Sequence, residues 1–184
     1  TQVILGHIKD FPDQIKMLKH ASFSFDISLF EILPPLLSGG ELIIINRFDI
    51  LGGENQMAIL SKTTHIQIIP SFLEQLIGSV PEQDRIKAFT AIRHIHIGGD
   101  AVQTLHLLNI KKYFEHAVIH ELYGPTETTI WCTKKTYPVG PDDQQHLNGK
   151  IIGQPVTGYI VYILDDYLQT VPDWVCGELY IGGD

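Results

Sequence analysis

The sequence predicts an α/β fold, and three observations carry that expectation. Short runs rich in Ile, Val and Leu alternate with amphipathic helical stretches along most of the 184 residues. Those runs end repeatedly in Gly or Pro, where strands give way to loops. From Val156 onward the helical stretches stop, and strand-like runs joined by turns take over. The expected organisation is a mainly α/β part over residues 1–150 and the start of a more β-rich subdomain over 151–184.

Each element has its own signal. Ser28-Leu29-Phe30-Glu31 fits a capping box, and Phe30, Leu33, Leu36 and Leu37 predict the apolar face of the helix behind it. Pro34 and Pro35 disturb that helix, and Gly39-Gly40 ends it. Residues 41–46, ELIIIN, read as a strand buried on both faces, because Ile and Leu run through it almost without a break. Residues 55–62 form the next helix candidate. Residues 65–69, HIQII, predict a strand closed by Pro70-Ser71, with helical spacing resuming over 72–77. Residues 92–97, IRHIHI, predict a strand running into Gly98-Gly99-Asp100. Leu105, Leu108 and Tyr113 then suggest a helix face, and residues 117–123, AVIHELY, a strand entering Gly124-Pro125. In the last part Tyr159–Leu164 and 178–181 read as strands, with turns around Asp165-Asp166 and Pro172-Asp173.

Composition excludes several classes. A hydrophobic fraction of 44% with 9% aromatic residues is too apolar for a generally disordered chain. The formal charge is −8 and no stretch concentrates Lys or Arg, so no nucleic-acid footprint is visible. Small anions stay compatible with that charge, since backbone amides and metal ions can hold them. Cys132 and Cys176 form neither a metal spacing nor a disulfide framework. Apolar stretches reach only about six residues, far short of a membrane span, and no targeting segment is visible. The expectation is a cytoplasmic protein without membrane or nucleic-acid partners. An abrupt start at Thr1 and a stop at Gly182-Gly183-Asp184, straight after a strand, suggest an internal piece of a longer chain.

Three short segments could carry chemistry. In Tyr123-Gly124-Pro125-Thr126-Glu127-Thr128-Thr129 a strand enters a tight turn followed by hydroxyls and a carboxylate. Hydroxyls and amides there can hold phosphate oxygens. Glu127 would repel phosphate unless a cation lay between, which makes it a candidate Mg²⁺ ligand. Tyr123 could stack on a planar ring. The plainer alternative is a turn followed by an ordinary cap. Gly98-Gly99-Asp100 allows a ligand close to the backbone, or is simply a turn. Asp26, between Phe25 and Ile27, is either a helix cap or a carboxylate in a pocket wall facing a cation. His94, His96 and His120 lie on strands, and none of the nine histidines has the helical pair spacing of a metalloprotease. The Ser-x-x-Lys, Gly-x-Ser-x-Gly, Rossmann and P-loop patterns are all missing. Covalent chemistry by a protein nucleophile is therefore poorly supported.

Together these segments resemble the adenylation domain of nonribosomal peptide synthetases, within the adenylate-forming enzymes. Residues 23–31, FSFDISLFE, look like the family's Phe-Asp-x-Ser motif. Leu122-Tyr123-Gly124-Pro125-Thr126-Glu127 matches its Tyr-Gly-Pro-Thr-Glu motif, and residues 176–183, CGELYIGG, match the opening of its Gly-Glu-Leu motif. Ile152-Gly153-Gln154-Pro155 and Val161-Tyr162-Ile163-Leu164-Asp165 also fit, in the expected order. The resemblance implies activation of an amino acid with ATP to an aminoacyl-adenylate and pyrophosphate, with Mg²⁺. The aminoacyl group would then pass to phosphopantetheine on a carrier domain, beside a condensation domain of the same synthetase. By the same resemblance Thr126 lies near the α-phosphate, Glu127 helps hold Mg²⁺, Tyr123 stacks on adenine, and Gly99 and Asp100 line the nucleotide site. Asp26 would hold the substrate α-ammonium. The side-chain pocket would be Ile27, Phe30, Gln67, His96, Gly98, Leu122, Ile130 and Trp131.

That set resembles the family's glycine-type pattern, with Phe30 and His96 where leucines are usual. Trp131 and Phe30 would take up the volume a large side chain needs, so glycine is expected first, and alanine or another small amino acid next. The family's phosphate loop, its ribose-binding Asp and its mobile domain with a catalytic Lys are missing from these residues, so the isolated segment is expected to turn over little or nothing. Trp174 also stands where the family usually has Gly. Two alternatives differ in class. An acyl- or aryl-CoA ligase would share Thr126 and Glu127 but have no need of Asp26, and a noncatalytic scaffold would need none of the three.

Overall fold

The computed structural model describes residues 14–139, 147 and 151–183. Thr1 and Asp184, on which the expectation of an interrupted chain rests, lie outside the described residues. Among the described residues nine strands are β1 (Lys16–Lys19), β2 (Glu41–Ile44), β3 (His65–Ile68), β4 (His94–Gly98), β5 (Val118–Tyr123), β6 (Thr133–Tyr137), β7 (Gln154–Pro155), β8 (Tyr159–Leu164) and β9 (Glu178–Gly183). The helices are α1 (Ile27–Leu37), α2 (Arg47–Ile50), α3 (Gln56–Leu60), α4 (Pro70–Ser79), α5 (Arg85–Phe89) and α6 (Thr104–Tyr113). Strands β1 to β7 make one sheet in the order β2-β1-β3-β4-β5-β6-β7, parallel through β5 and antiparallel beyond it. β8 and β9 form a separate antiparallel hairpin. This is the α/β arrangement with a β-rich end that the sequence predicts.

Strand alternation gives the large sheet two unlike faces. Ile66, Ile68, Ile95, Ile97 and Ile119 point to one side, where Phe72 and Leu76 of α4, Phe89 of α5, and Leu107 and Ile110 of α6 bury them. Residues between them in sequence, including Gln67, His96 and Leu122, occupy the other side, against α1 and the turn after β5. There Phe30, Met17, Ile15, Leu122, Ile130 and Trp131 make a second apolar cluster.

Four local expectations are corrected. The capping box does not form: the helix begins at Ile27, Asp26 takes the cap position without a side-chain bond, and Ser28 is buried inside the first turn. The buried stripe of α1 includes Phe30, Glu31, Pro34 and Pro35, whereas Leu36 and Leu37 are exposed. Both prolines are buried within the helix, which ends three residues after Pro34. β2 is not buried on both faces. It is the edge strand, paired only with β1 among the described residues, and Ile44 is 76% exposed. In α6 the buried positions are His106, Leu107, Ile110 and Tyr113, and Leu105 and Leu108 face outward.

Candidate functional site

Sheet register assembles the site from positions far apart in sequence. Gln67 pairs with His96, and Gly98, two residues on, pairs with Leu122, so all four share one face. Gly98 must be glycine, because a Cβ there would lie 2.3 Å from the Leu122 carbonyl oxygen. Gly124 is fixed for a similar reason, with a Cβ placed 2.2 Å from Trp131 Cα. These close approaches let the turn after β5 fold back over the strand ends.

A cavity of about 690 Å³ opens there, at the carboxyl ends of β3, β4 and β5. Open α/β sheets bind ligands at this end. Of the residues singled out in the sequence, Asp26, Ile27, Gln67, Gly98, Gly99, Leu122, Thr126, Ile130 and Trp131 line it. Phe30 and His96 are fully buried behind that lining. The Phe30 ring meets Trp131 edge-on at 4.5 Å and His96 edge-on at 5.0 Å, forming the base against which Trp131 rests. Tyr123, Asp100 and Glu127 do not line the cavity. They are exposed around the strand ends, where the Asp100 carboxylate accepts the Ala101 backbone N–H at 2.7 Å.

Asp26 has the most telling electrostatics. Its Oδ2 is buried and accepts no hydrogen bond. A carboxylate oxygen without a donor is costly to bury, so it fits a cationic group arriving in the cavity. One turn along α1, Glu31 is fully buried and turns back toward β1. It accepts the Ala21 N–H at 3.0 Å and lies 3.4 Å from both Lys19 Nζ and His20 Nε2. Burial pushes its carboxyl up to about 7, against the opposing pull of the Ala21 N–H and Lys19. His20 in turn donates to the Gln67 carbonyl at 2.7 Å, stacks on Phe72 at 4.5 Å and forms part of the cavity wall.

Behind the cavity His65, His94, His96 and His120 stack in parallel across β3, β4 and β5. Burial holds His65 and His120 down to about 3, helped by the neighbouring His94, so both are neutral at pH 7. Among the described residues no group of three His, Cys, Asp or Glu side chains is arranged to hold a metal ion. Glu127 is an exposed carboxylate on the turn after β5.

The turn carrying Thr126 and Glu127 is strained. Thr129 and Ile130 are both β-branched and both left-handed, with φ of 56° and 78°. Such a conformation costs roughly 1–2 kcal/mol per residue. It swings Ile130 and Trp131 into the cavity directly after the exposed hydroxyls. Three residues at this site, His20, Phe72 and Glu31, escape a reading of the sequence. No motif flags His20 or Phe72, and Glu31 reads locally as part of a cap.

Residues 2–184 match the family model described as AMP-binding enzyme. The chain belongs to the AMP-binding enzyme family. Within that family it is an adenylation-domain segment of the nonribosomal peptide synthetase kind. It is 36% identical over 170 residues to a linear gramicidin synthase of Brevibacillus parabrevis, covering 91% of this chain and 2% of that protein. It is 33% identical over 175 residues to a dimodular nonribosomal peptide synthase of Bacillus subtilis (strain 168), covering 93% and 7%. The segment thus spans a small fraction of these curated relatives. A solved four-domain nonribosomal peptide synthetase bound to AMP and glycine is similar to it with a TM-score of 0.74 and 26% identity, over 98% of this chain and 13% of that one. The fold is also that of a nonribosomal peptide synthetase protein containing adenylation and PCP domains, with a TM-score of 0.74, 21% identity and coverage of 98% and 36%. No helix among the described residues is long and apolar enough to cross a membrane.

Proposed function

We propose that this segment carries the amino-acid pocket and part of the nucleotide site of a domain that activates glycine with ATP. Its product would be glycyl-adenylate, passed on to the phosphopantetheine thiol of a carrier domain in the same synthetase. The observation that carries this reading is the cavity itself. An unpartnered carboxylate oxygen of Asp26 sits in its wall, and Trp131, backed by Phe30, limits its depth. The solved relative bound to AMP and glycine supports the same choice of substrate. Residues 151–184 would begin the β-rich subdomain of that domain.

In this reading Asp26 binds the α-ammonium by a charge-assisted bond. Ile27, Gln67, Gly98, Leu122, Ile130 and Trp131 surround the α-carbon, with Phe30 and His96 behind them. A large side chain would compete with Trp131 and Phe30 for volume, an overpacking cost of about 1–3 kcal/mol, and preference for glycine over alanine would rest on steric rejection of one methyl. Thr126 lines the same cavity as Asp26, so an amino acid held by Asp26 would present its carboxylate toward an α-phosphate held near Thr126. A carboxylate oxygen attacks the α-phosphorus and pyrophosphate leaves. Tyr123 would stack on adenine, with Gly99 and Asp100 along the nucleotide. Mg²⁺, held by Glu127 and phosphate oxygens, would neutralise charge on the leaving group. Positioning and charge neutralisation suffice for such a step without a protein nucleophile.

An acyl- or aryl-CoA ligase is the second reading, and Asp26 disfavours it, since an acid without an α-amino group leaves that carboxylate uncompensated. The test is amino-acid-dependent pyrophosphate–ATP exchange on the complete adenylation domain containing this segment. Glycine should drive exchange best, with alanine behind it. Exchange driven best by a large aromatic amino acid would overturn the pocket assignment, and exchange indifferent to any amino acid would overturn amino-acid activation.

A further inference from the structure

We propose that Tyr159 is a positioning residue for the turn that shapes the amino-acid pocket, and so sets how tightly the pocket rejects a methyl group. This rests on the pocket assignment above for its effect on specificity, but not for its structural basis. Tyr159 opens β8, outside the main sheet, and its hydroxyl donates to the Thr128 carbonyl. That carbonyl immediately precedes the two left-handed residues Thr129 and Ile130.

Most hydrogen bonds of the turn are internal to it. Thr128 N–H and its hydroxyl both donate to the Pro125 carbonyl, at 3.0 and 2.8 Å, and Thr129 N–H donates to Thr126 at 3.0 Å. Trp131 N–H reaches back to Thr129 at 3.1 Å. Such bonds close the turn, and Cys132 N–H, donating to the Tyr123 carbonyl at 2.9 Å, ties its far end to β5. The segment that leads into β8 adds two further anchors. Val156 N–H donates to the Cys132 carbonyl at 2.9 Å, and Tyr159 takes hold on the far side of the left-handed pair. Val156 and Tyr159 both pack against the cluster that contains Phe30, Ile130 and Trp131. A strained conformation persists only where its surroundings over-determine it, and these two anchors bracket the strain. With the Tyr159 tether gone, Thr129 and Ile130 can relax, and Trp131 no longer has one fixed position over Phe30.

The test compares wild type with Tyr159→Phe in the complete adenylation domain, with Tyr162→Phe as a control that removes a hydroxyl from the same strand. Two readouts are needed. In hydrogen–deuterium exchange without ligand, the peptide spanning 126–132 should exchange faster in Y159F, while a peptide from β4 keeps its protection. In pyrophosphate–ATP exchange, the loss should lie in KM for the amino acid, by about fivefold, with KM for ATP little changed. The preference for glycine over alanine should shrink by about threefold or more, and Y162F should match wild type in every measurement. Unchanged exchange at 126–132 would overturn the tether, whichever amino acid the domain activates. Faster exchange at 126–132 with an unaltered glycine-to-alanine ratio would overturn the link to specificity. Failure of wild type to respond to small amino acids would instead count against the pocket assignment, leaving the tether to be judged on the hydrogen–deuterium result.

Discussion

The two faces of the main sheet are built to different rules, although the same strands supply both. On the helix-covered face, Ile66, Ile68, Ile95, Ile97 and Ile119 are fully buried against aromatic and aliphatic side chains. On the other face the same strands present His65, Gln67, His96, Gly98, His120 and Leu122. The first face has one strand carboxylate to satisfy, Glu121, which accepts the Tyr137 hydroxyl at 2.8 Å, and is otherwise packed for density. The second holds a stack of imidazoles, a glycine that no side chain could replace, and an open cavity. A strand residue's neighbours in sequence therefore say little about its job, because alternation sends them to opposite environments. The difference teaches that stability and ligand recognition here are separable by one-residue steps.

The strongest way to break that comparison is to truncate one residue of the packed face. Ile97→Ala should cost about 2–5 kcal/mol in unfolding free energy, from lost burial plus the cavity left behind. Ile97 lies between His96 and Gly98, both assigned to the pocket. Denaturant unfolding should register the loss, whereas the glycine-to-alanine ratio in the exchange assay should hold wherever the domain stays folded. A ratio that shifts along with stability would mean that the two faces are not separable.

The mirror experiment is Asp26→Ala. Its Oδ2 has no donor and its side chain caps nothing, so folding gains little from it. Its loss should cost about 100-fold in kcat/KM for the amino acid, the scale of a hydrogen bond to a charged group, while the unfolding free energy of the ligand-free domain should not fall, since an unpaired buried oxygen is removed. KM for ATP should change far less. Equal losses for both substrates would remove Asp26 from the role of ammonium ligand.

The sequence made one face far more legible than the other. Runs such as IRHIHI and AVIHELY announce strands through their β-branched residues, and the alternation in HIHIG already separates Ile from His. By contrast β1, KMLK, and β6, TKKTY, are hidden by their lysines. Lys19 is tolerated in β1 because Glu31 lies 3.4 Å away, a pairing supplied by α1 that no local pattern reveals. β6 lies next to the two-residue edge strand β7, where polar side chains are normal. ELIIIN misled for the opposite reason: an apolar run suits a central strand, but topology put it at the edge. At the site, family motifs pointed to Asp26, Thr126 and Trp131, whereas His20 joins the cavity wall, and Tyr159 the apolar cluster behind it, only through tertiary packing. Their roles could be read only from side-chain partners.

Acid sensitivity should sharpen the comparison further, because His65, His120 and Glu31 lie on the histidine side of the sheet, whereas Glu121, whose carboxyl burial also pushes up, lies on the packed side. His65 and His120 have folded pKa values near 3, below the ordinary 6.5, so the unfolded chain binds protons that the folded one refuses. Their contribution to stability is present above pH 6.5 and is lost as pH falls toward 3. Glu31 runs the other way. With a folded pKa near 7, above its ordinary 4.5, it favours folding at low pH, and that contribution fades as pH rises through 7. Between pH 7 and 5 each histidine should cost about 2 kcal/mol and Glu31 should return about 2 kcal/mol, so these three groups together lose about 2 kcal/mol. Glu31→Gln keeps the side-chain shape but cannot take up a proton, so the loss over the same interval should roughly double. Denaturant unfolding of wild type and E31Q at the two pH values measures the difference directly, with other titrating groups cancelling between them. If E31Q and wild type lose the same stability between pH 7 and 5, Glu31 is not the group that offsets the histidines, and the acid response of this face must come from the imidazole stack alone.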